Sequence, residues 1–158
     1  MSMSIKKSRL FKLFAVVALA VIMAIGTALP SFASSDDKGF YFKTEGGSSN
    51  EAFIPARVKQ DKTSIYCWIQ NSTTKNVTSA KVNARGGWGT NPDKDWAVCN
   101  SSLGYGRTMQ VGTSYFIYNN VKEAGYTYAS LSFTSSLAST FRGVWSPDSV
   151  YQSGVAQI

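Results

Sequence analysis

The stretch Ser64-Ile65-Tyr66-Cys67-Trp68-Ile69-Gln70 changes character at every residue, and a β-strand is the regular element that sorts such a pattern onto two faces. Ile65, Cys67 and Ile69 fall on one side, Tyr66, Trp68 and Gln70 on the other. The same period recurs at 78–84, where Thr78, Ala80, Val82 and Ala84 oppose Ser79, Lys81 and Asn83. It recurs again at 126–133, with Ala129, Leu131 and Phe133 opposite Tyr128, Ser130 and Ser132. Shorter strands are predicted at 40–43, 53–58, 96–99, 108–111, 114–118 and 140–145. Loop-forming Gly, Asn, Ser and Asp residues separate them at 46–50, 71–76, 86–95 and 104–106. Short strands with frequent turns predict an all-β fold, a small antiparallel β-sandwich or partly open barrel in one domain. The only helical candidate is 119–125, one or two turns that Gly125 would end.

The first 33 residues of the chain have a different composition. Lys6, Lys7, Arg9 and Lys12 precede a 17-residue apolar run, Leu13 to Leu29, and Ser31-Phe32-Ala33 supplies small residues for a cleavage site. This pattern predicts a cleaved signal peptide over 1–33 and a secreted, extracellular domain over 34–158. An uncleaved N-terminal anchor is the competing reading. Four of the sixteen Lys and Arg precede Ser34 and none of the nine Asp and Glu does, so residues 34–158 carry twelve against nine, a net +3. No basic run marks a nucleic-acid face; a weak attraction to an anionic wall or membrane is what this charge supports. Cys67 and Cys99 are the only cysteines, and an even pair in an exported domain predicts a disulfide between them.

The chain contains no histidine, which removes Ser–His and Cys–His nucleophile pairs and histidine-containing metal sites. Two cysteines are too few for an all-thiolate zinc site. Carboxylate pairs remain as the route to hydrolysis. Asp93 and Asp95 have the spacing of the first two ligands of a calcium loop, but Ala97 follows where an oxygen donor belongs. No catalytic residue, metal or cofactor is therefore expected. In Phe141-Arg142-Gly143-Val144-Trp145-Ser146-Pro147-Asp148-Ser149, a strand runs into Ser-Pro-Asp-Ser. Proline sets the φ of a type I turn there, and Ser146 and Asp148 can bond nearby amides. Trp145, Ser146, Pro147, Asp148 and Ser149 are read as a structural turn, with Trp145 packed at the edge of the core.

Gly143-Val144-Trp145-Ser146-Pro147-Asp148-Ser149, with 123–131 before it and Arg57-Val58-Lys59 leading to Thr63-Ser64-Ile65-Tyr66, resembles a family of small secreted Gram-positive proteins. That family is catalogued as a domain of unknown function. The resemblance covers roughly Phe40 to Val150 and implies an exported, β-rich, single-domain protein. It brings no catalytic residues.

The most suggestive surface is Arg85-Gly86-Gly87-Trp88-Gly89-Thr90-Asn91-Pro92-Asp93-Lys94-Asp95-Trp96. Trp88 and Trp96, with Tyr105 between two glycines, would suit stacking on a sugar ring or insertion at a membrane interface. The bland alternative is that Trp88 folds back and fills the end of the core. The expectation is a non-enzymatic interaction module at the cell surface, its partner a wall or surface glycan or an anionic membrane. A bacteriocin-like or toxin-like antagonist acting on membranes is one alternative, a carboxylate-based wall polysaccharide hydrolase the other. Nothing in the sequence specifies an oligomeric state.

Overall fold

The computed structural model describes residues 36–100 and 106–158, which fall within the compact unit Ala33–Ile158. The described part is all-β: β1 (Lys38–Phe53), β2 (Arg57–Val58), β3 (Ile65–Ser72), β4 (Ser79–Gly87), β5 (Ala97–Val98), β6 (Arg107–Gln110), β7 (Ser114–Ile117), β8 (Tyr128–Ser146) and β9 (Ala156–Gln157). They form one sheet that curls into an open half-barrel. Of the two antiparallel forms expected, this is the partly open barrel.

β8 is the spine. One of its edges holds β4 along residues 128–134 and β3 along 141–146; β1 and β2 line the other edge. β7 continues the sheet from β3, while β5 and β6 pair with β4. Every pairing is antiparallel except that of β9, which lies parallel on β7. An isolated bridge from Asn100 to Asn119 ties the chain after β5 to the chain after β7.

The alternation read from the sequence becomes the inside and outside of this sheet. Ile65, Cys67 and Ile69 of β3 are buried, as are Ala80, Val82 and Ala84 of β4 and Ala129, Leu131 and Phe133 of β8. Phe40 and Phe42 of β1 stack with Phe133 and Phe141 of β8, Phe42 lying 4.2 Å from Phe133 and 4.9 Å from Phe141 between ring centroids. Burial of four such rings stabilises the sheet by about 25 cal/mol for each Å² of apolar surface removed from water.

Three departures have local causes. The segment 46–50 is not a separate turn: it bulges out of β1, because Gly46 and Gly47 adopt φ of 81° and 86° and the ladder with β8 resumes at Ala52. Asn50 Nδ2 closes the bulge by donating to Gly46 O at 2.8 Å. The helical candidate at 119–125 stays a single turn, held by Ala124 N–H donating to Asn120 O at 2.9 Å. Finally, Ser130 and Ser132 are as buried as the apolar residues opposite them. Their hydroxyls find partners, Ser130 on Ile54 O at 2.7 Å and Ser132 with Arg85 and Glu51, so the N-terminal half of β8 is covered on both faces.

Candidate functional site

The end of β4 carries two glycines because two aromatic rings lie directly on its backbone. A Cβ at Gly86 would sit 2.6 Å from the Tyr126 ring, and one at Gly87 would sit 2.6 Å from the Trp96 ring. Tyr126 in turn supports Trp88, whose ring is 4.8 Å away and tilted by 55°. Trp88 is nonetheless 72% exposed, so it neither folds back into the core nor lacks a backing surface.

The polar groups beneath this cluster are tied down. Arg85 is buried; its Nη1 donates to Trp96 O at 2.9 Å and its Nε to Ser132 Oγ at 3.0 Å, while Nη2 pairs with Glu51. Asn83 and Ser132 also donate to Glu51 Oε1. Asp93 shapes the loop: it accepts the Asp95 N–H on Oδ1 at 2.9 Å, and its carbonyl accepts the Trp96 N–H at 3.2 Å. Of the three aromatic residues singled out from the sequence, Trp88 and Trp96 thus meet around one strand end, Trp96 half-buried and Trp88 open to solvent. Tyr105 lies outside the described residues.

A second constellation sits where β8 ends. Trp145 to Ser149 are all buried, Trp145 at 1% exposure beneath the guanidinium of Arg57, which also donates to Trp145 O at 3.0 Å. Lys59, just past β2, is 0% exposed, as is Asp148. Lys59 Nζ donates to Asp148 Oδ1 at 3.0 Å, to Pro147 O at 2.7 Å and to Thr63 O at 2.6 Å. The Asp148 carboxylate further accepts the Gln60 N–H at 3.0 Å on Oδ2 and the Asp61 N–H at 3.2 Å on Oδ1. Ser149 is held at both ends, its N–H on Thr63 Oγ1 and its hydroxyl on Ser64 O. Asp61 Oδ1 lies 3.8 Å from Lys59 Nζ. Burial acts to raise the Asp61 carboxyl, but hydrogen bonds from Thr63 and with Asp148, and the Lys59 charge, outweigh it and hold the group below its ordinary value.

The Ser-Pro-Asp-Ser segment is therefore more than a local turn. Asp148 bonds amides from a segment 87 and 88 residues away. Sequence reasoning noted Arg57-Val58-Lys59 and Ser-Pro-Asp-Ser separately and missed that they meet. The available signal was Lys59 itself, a charged residue directly beside a predicted strand.

A family model matches residues 29–149. The chain belongs to the family described as protein of unknown function (DUF2712). The matched span of this DUF2712 chain contains both constellations and stops one residue after Asp148. No curated protein and no solved structure matches the chain.

The expected Cys67–Cys99 bridge is not present: both residues are buried free thiols. Cys67 lies on β3 opposite Trp145 at the C-terminal end of β8, whereas Cys99 packs on Gly86 beside the N-terminal end of β8. Burial pushes the Cys99 thiol up to about 11, against the lowering effect of Arg85. Burial raises Cys67 further still, with the Asp37 charge adding to it. Thiols so raised are poor nucleophiles at neutral pH. Among the described residues, no group of three or more His, Cys, Asp and Glu is placed to hold a metal ion, and no helix is long and apolar enough to cross a membrane.

Proposed function

We propose that this DUF2712 protein is an exported, non-enzymatic binding module that contacts a glycan of the cell wall or surface through the Trp88 face. The observation that carries the reading is Trp88 itself: a large ring mostly open to water, yet backed by Tyr126. An aromatic face fixed before binding loses little side-chain freedom on stacking against a flat apolar sugar face. Trp96 extends the same surface, anchored through its carbonyl to the Arg85–Glu51 pair. The signal-like N-terminus and the small positive balance of residues 34–158 agree with a site of action at an anionic surface.

Retention on purified wall material tests the reading. Wild-type protein is retained and Trp88→Ala is not; equal retention of the two removes the Trp88 face from the account. The same aromatic exposure suits a membrane interface, so dye release from anionic vesicles is the second arm. Release by the wild type, lost in Trp88→Ala, transfers the site to a membrane-acting antagonist.

A further inference from the structure

Lys59 and Asp148 are arranged for more than an ion pair. Both side chains are removed from water, and the amine nitrogen lies beside the carboxyl group it would attack, with Nζ 3.0 Å from Oδ1. Nζ has three acceptors: Thr63 O, Pro147 O and Asp148 Oδ1. A neutral amine keeping its two hydrogens on the backbone carbonyls aims its lone pair in the third direction, at the Asp148 carboxyl. The Gln60 and Asp61 N–H groups point at the carboxyl oxygens, where negative charge develops when a nucleophile adds to the carbon. Asp61 supplies a second carboxyl, 3.8 Å from Nζ, and its backbone N–H donates to Asp148 Oδ1.

We propose that Lys59 and Asp148 become joined by an intramolecular amide bond, formed by the folded chain itself. The ammonium first gives one proton to the Asp148 carboxylate; between two side chains wholly removed from water the exchange removes two buried charges at once. The Nζ lone pair then adds to Asp148 Cγ, and the two backbone N–H groups stabilise the oxyanion. Asp61 takes the second proton from nitrogen and delivers it to the departing oxygen. One C–N bond forms, one C–O bond breaks and one water leaves, with no change of oxidation state and no co-reactant. A small cavity of about 120 Å³ bordered by Asp37, Tyr66, Phe116, Ser146, Asp148 and Ser149 gives that water an exit. The product closes a covalent loop between residues 89 apart, joining the segment after β2 to the turn after β8.

Mass spectrometry of the purified folded protein decides the matter, with the N-terminus sequenced so that the expected mass is known. The wild type is expected one water lighter than its sequence. Trypsin should release residues 58–62 joined to residues 143–158 as one branched peptide, uncut after Lys59. Asp61→Ala, checked for native circular dichroism, should retain the full mass. Asp148→Asn should expel ammonia instead and reach the same final mass as the wild type. A folded wild type with its full sequence mass overturns the proposal, as does a lost water that maps to any peptide other than this branched one.

Discussion

Replacing Gly143 by alanine should destabilise the fold substantially, because the β3 backbone occupies the space a Cβ would need there. Gly143 is paired with Ile69, beside the irregularity between Ile69 and Asn71. A Cβ at Gly143 would fall deep inside the van der Waals envelope of the Trp68 carbonyl oxygen, 3.0 Å from the Trp68 carbonyl carbon and 2.8 Å from Phe40 Cζ. Normal carbon contacts begin near roughly 3.5 Å. The main obstacle is backbone in the neighbouring strand, so no rotamer change relieves it; the two strands must part or tilt. Overpacking alone costs about 1–3 kcal/mol, and a strained ladder hydrogen bond adds on the order of 1 kcal/mol. A total near 3 kcal/mol corresponds to a melting temperature lower by roughly 10 °C for a domain of this size. Thermal melts followed by far-UV circular dichroism measure it, with Gly89→Ala as the control, since a Cβ there meets nothing within 4 Å. A Gly143→Ala midpoint indistinguishable from that of Gly89→Ala would refute the close-approach argument.

Gly87→Ala presses on the Trp96 ring rather than on backbone, so it should cost only about 1 kcal/mol while displacing Trp96; shifted tryptophan emission together with weaker wall retention is the expected result. Trp88→Ala should leave stability within about 1 kcal/mol of wild type, checked by urea titration, because most of the ring is already in water. Iodoacetamide at neutral pH should modify neither Cys67 nor Cys99 in the native protein and both after denaturation, since burial raises each thiol; native labelling at either would contradict the placement. The Asp61 carboxyl is held below its unfolded value, so its stabilisation is complete above about pH 4 and is lost as pH falls through the lower folded value. Asp61→Asn should therefore flatten the acid limb of a stability–pH curve and leave its neutral-to-alkaline slope unchanged.

What the sequence revealed was the identity of faces. The alternations at 64–70 and 78–84 placed their apolar sets correctly, because a one-residue shift would have moved each set to the more exposed face; the set at 126–133 is also buried, on a strand covered on both faces. What stayed hidden was the continuity of β8. Thr134-Ser135-Ser136-Leu137-Ala138-Ser139 falls between two predicted strands and belongs to neither of them by pattern, yet it is strand, because hydroxyls replace apolar packing there. Thr44 Oγ1 meets Ser135 Oγ at 2.6 Å and Ser72 Oγ meets Ser139 Oγ at 2.7 Å, each linking β8 to a neighbouring strand. Propensity assigned to single residues cannot see such partners, which come from residues 67 and 91 positions away. Tyr126 was hidden for the same reason: its role as the backing of Trp88 exists only once the turn at 119–125 returns the chain to β4.

The burial of Lys59 decides how the two ends of the described fold depend on each other. A lone ammonium in that position would cost several kcal/mol in lost hydration, and so would Asp148 without its lysine. Neither the segment after β2 nor the turn after β8 can therefore adopt its observed path alone. Asp148 receives the Gln60 and Asp61 amides and the Lys59 ammonium, while Ser149 is held by Thr63 and Ser64. The short run from Lys59 to Ser64 is in effect shaped by residues 146–149, and the reverse holds as well. Such mutual dependence makes closure at this point an all-or-none event. It also explains why an ordinary turn sequence is buried to its last serine.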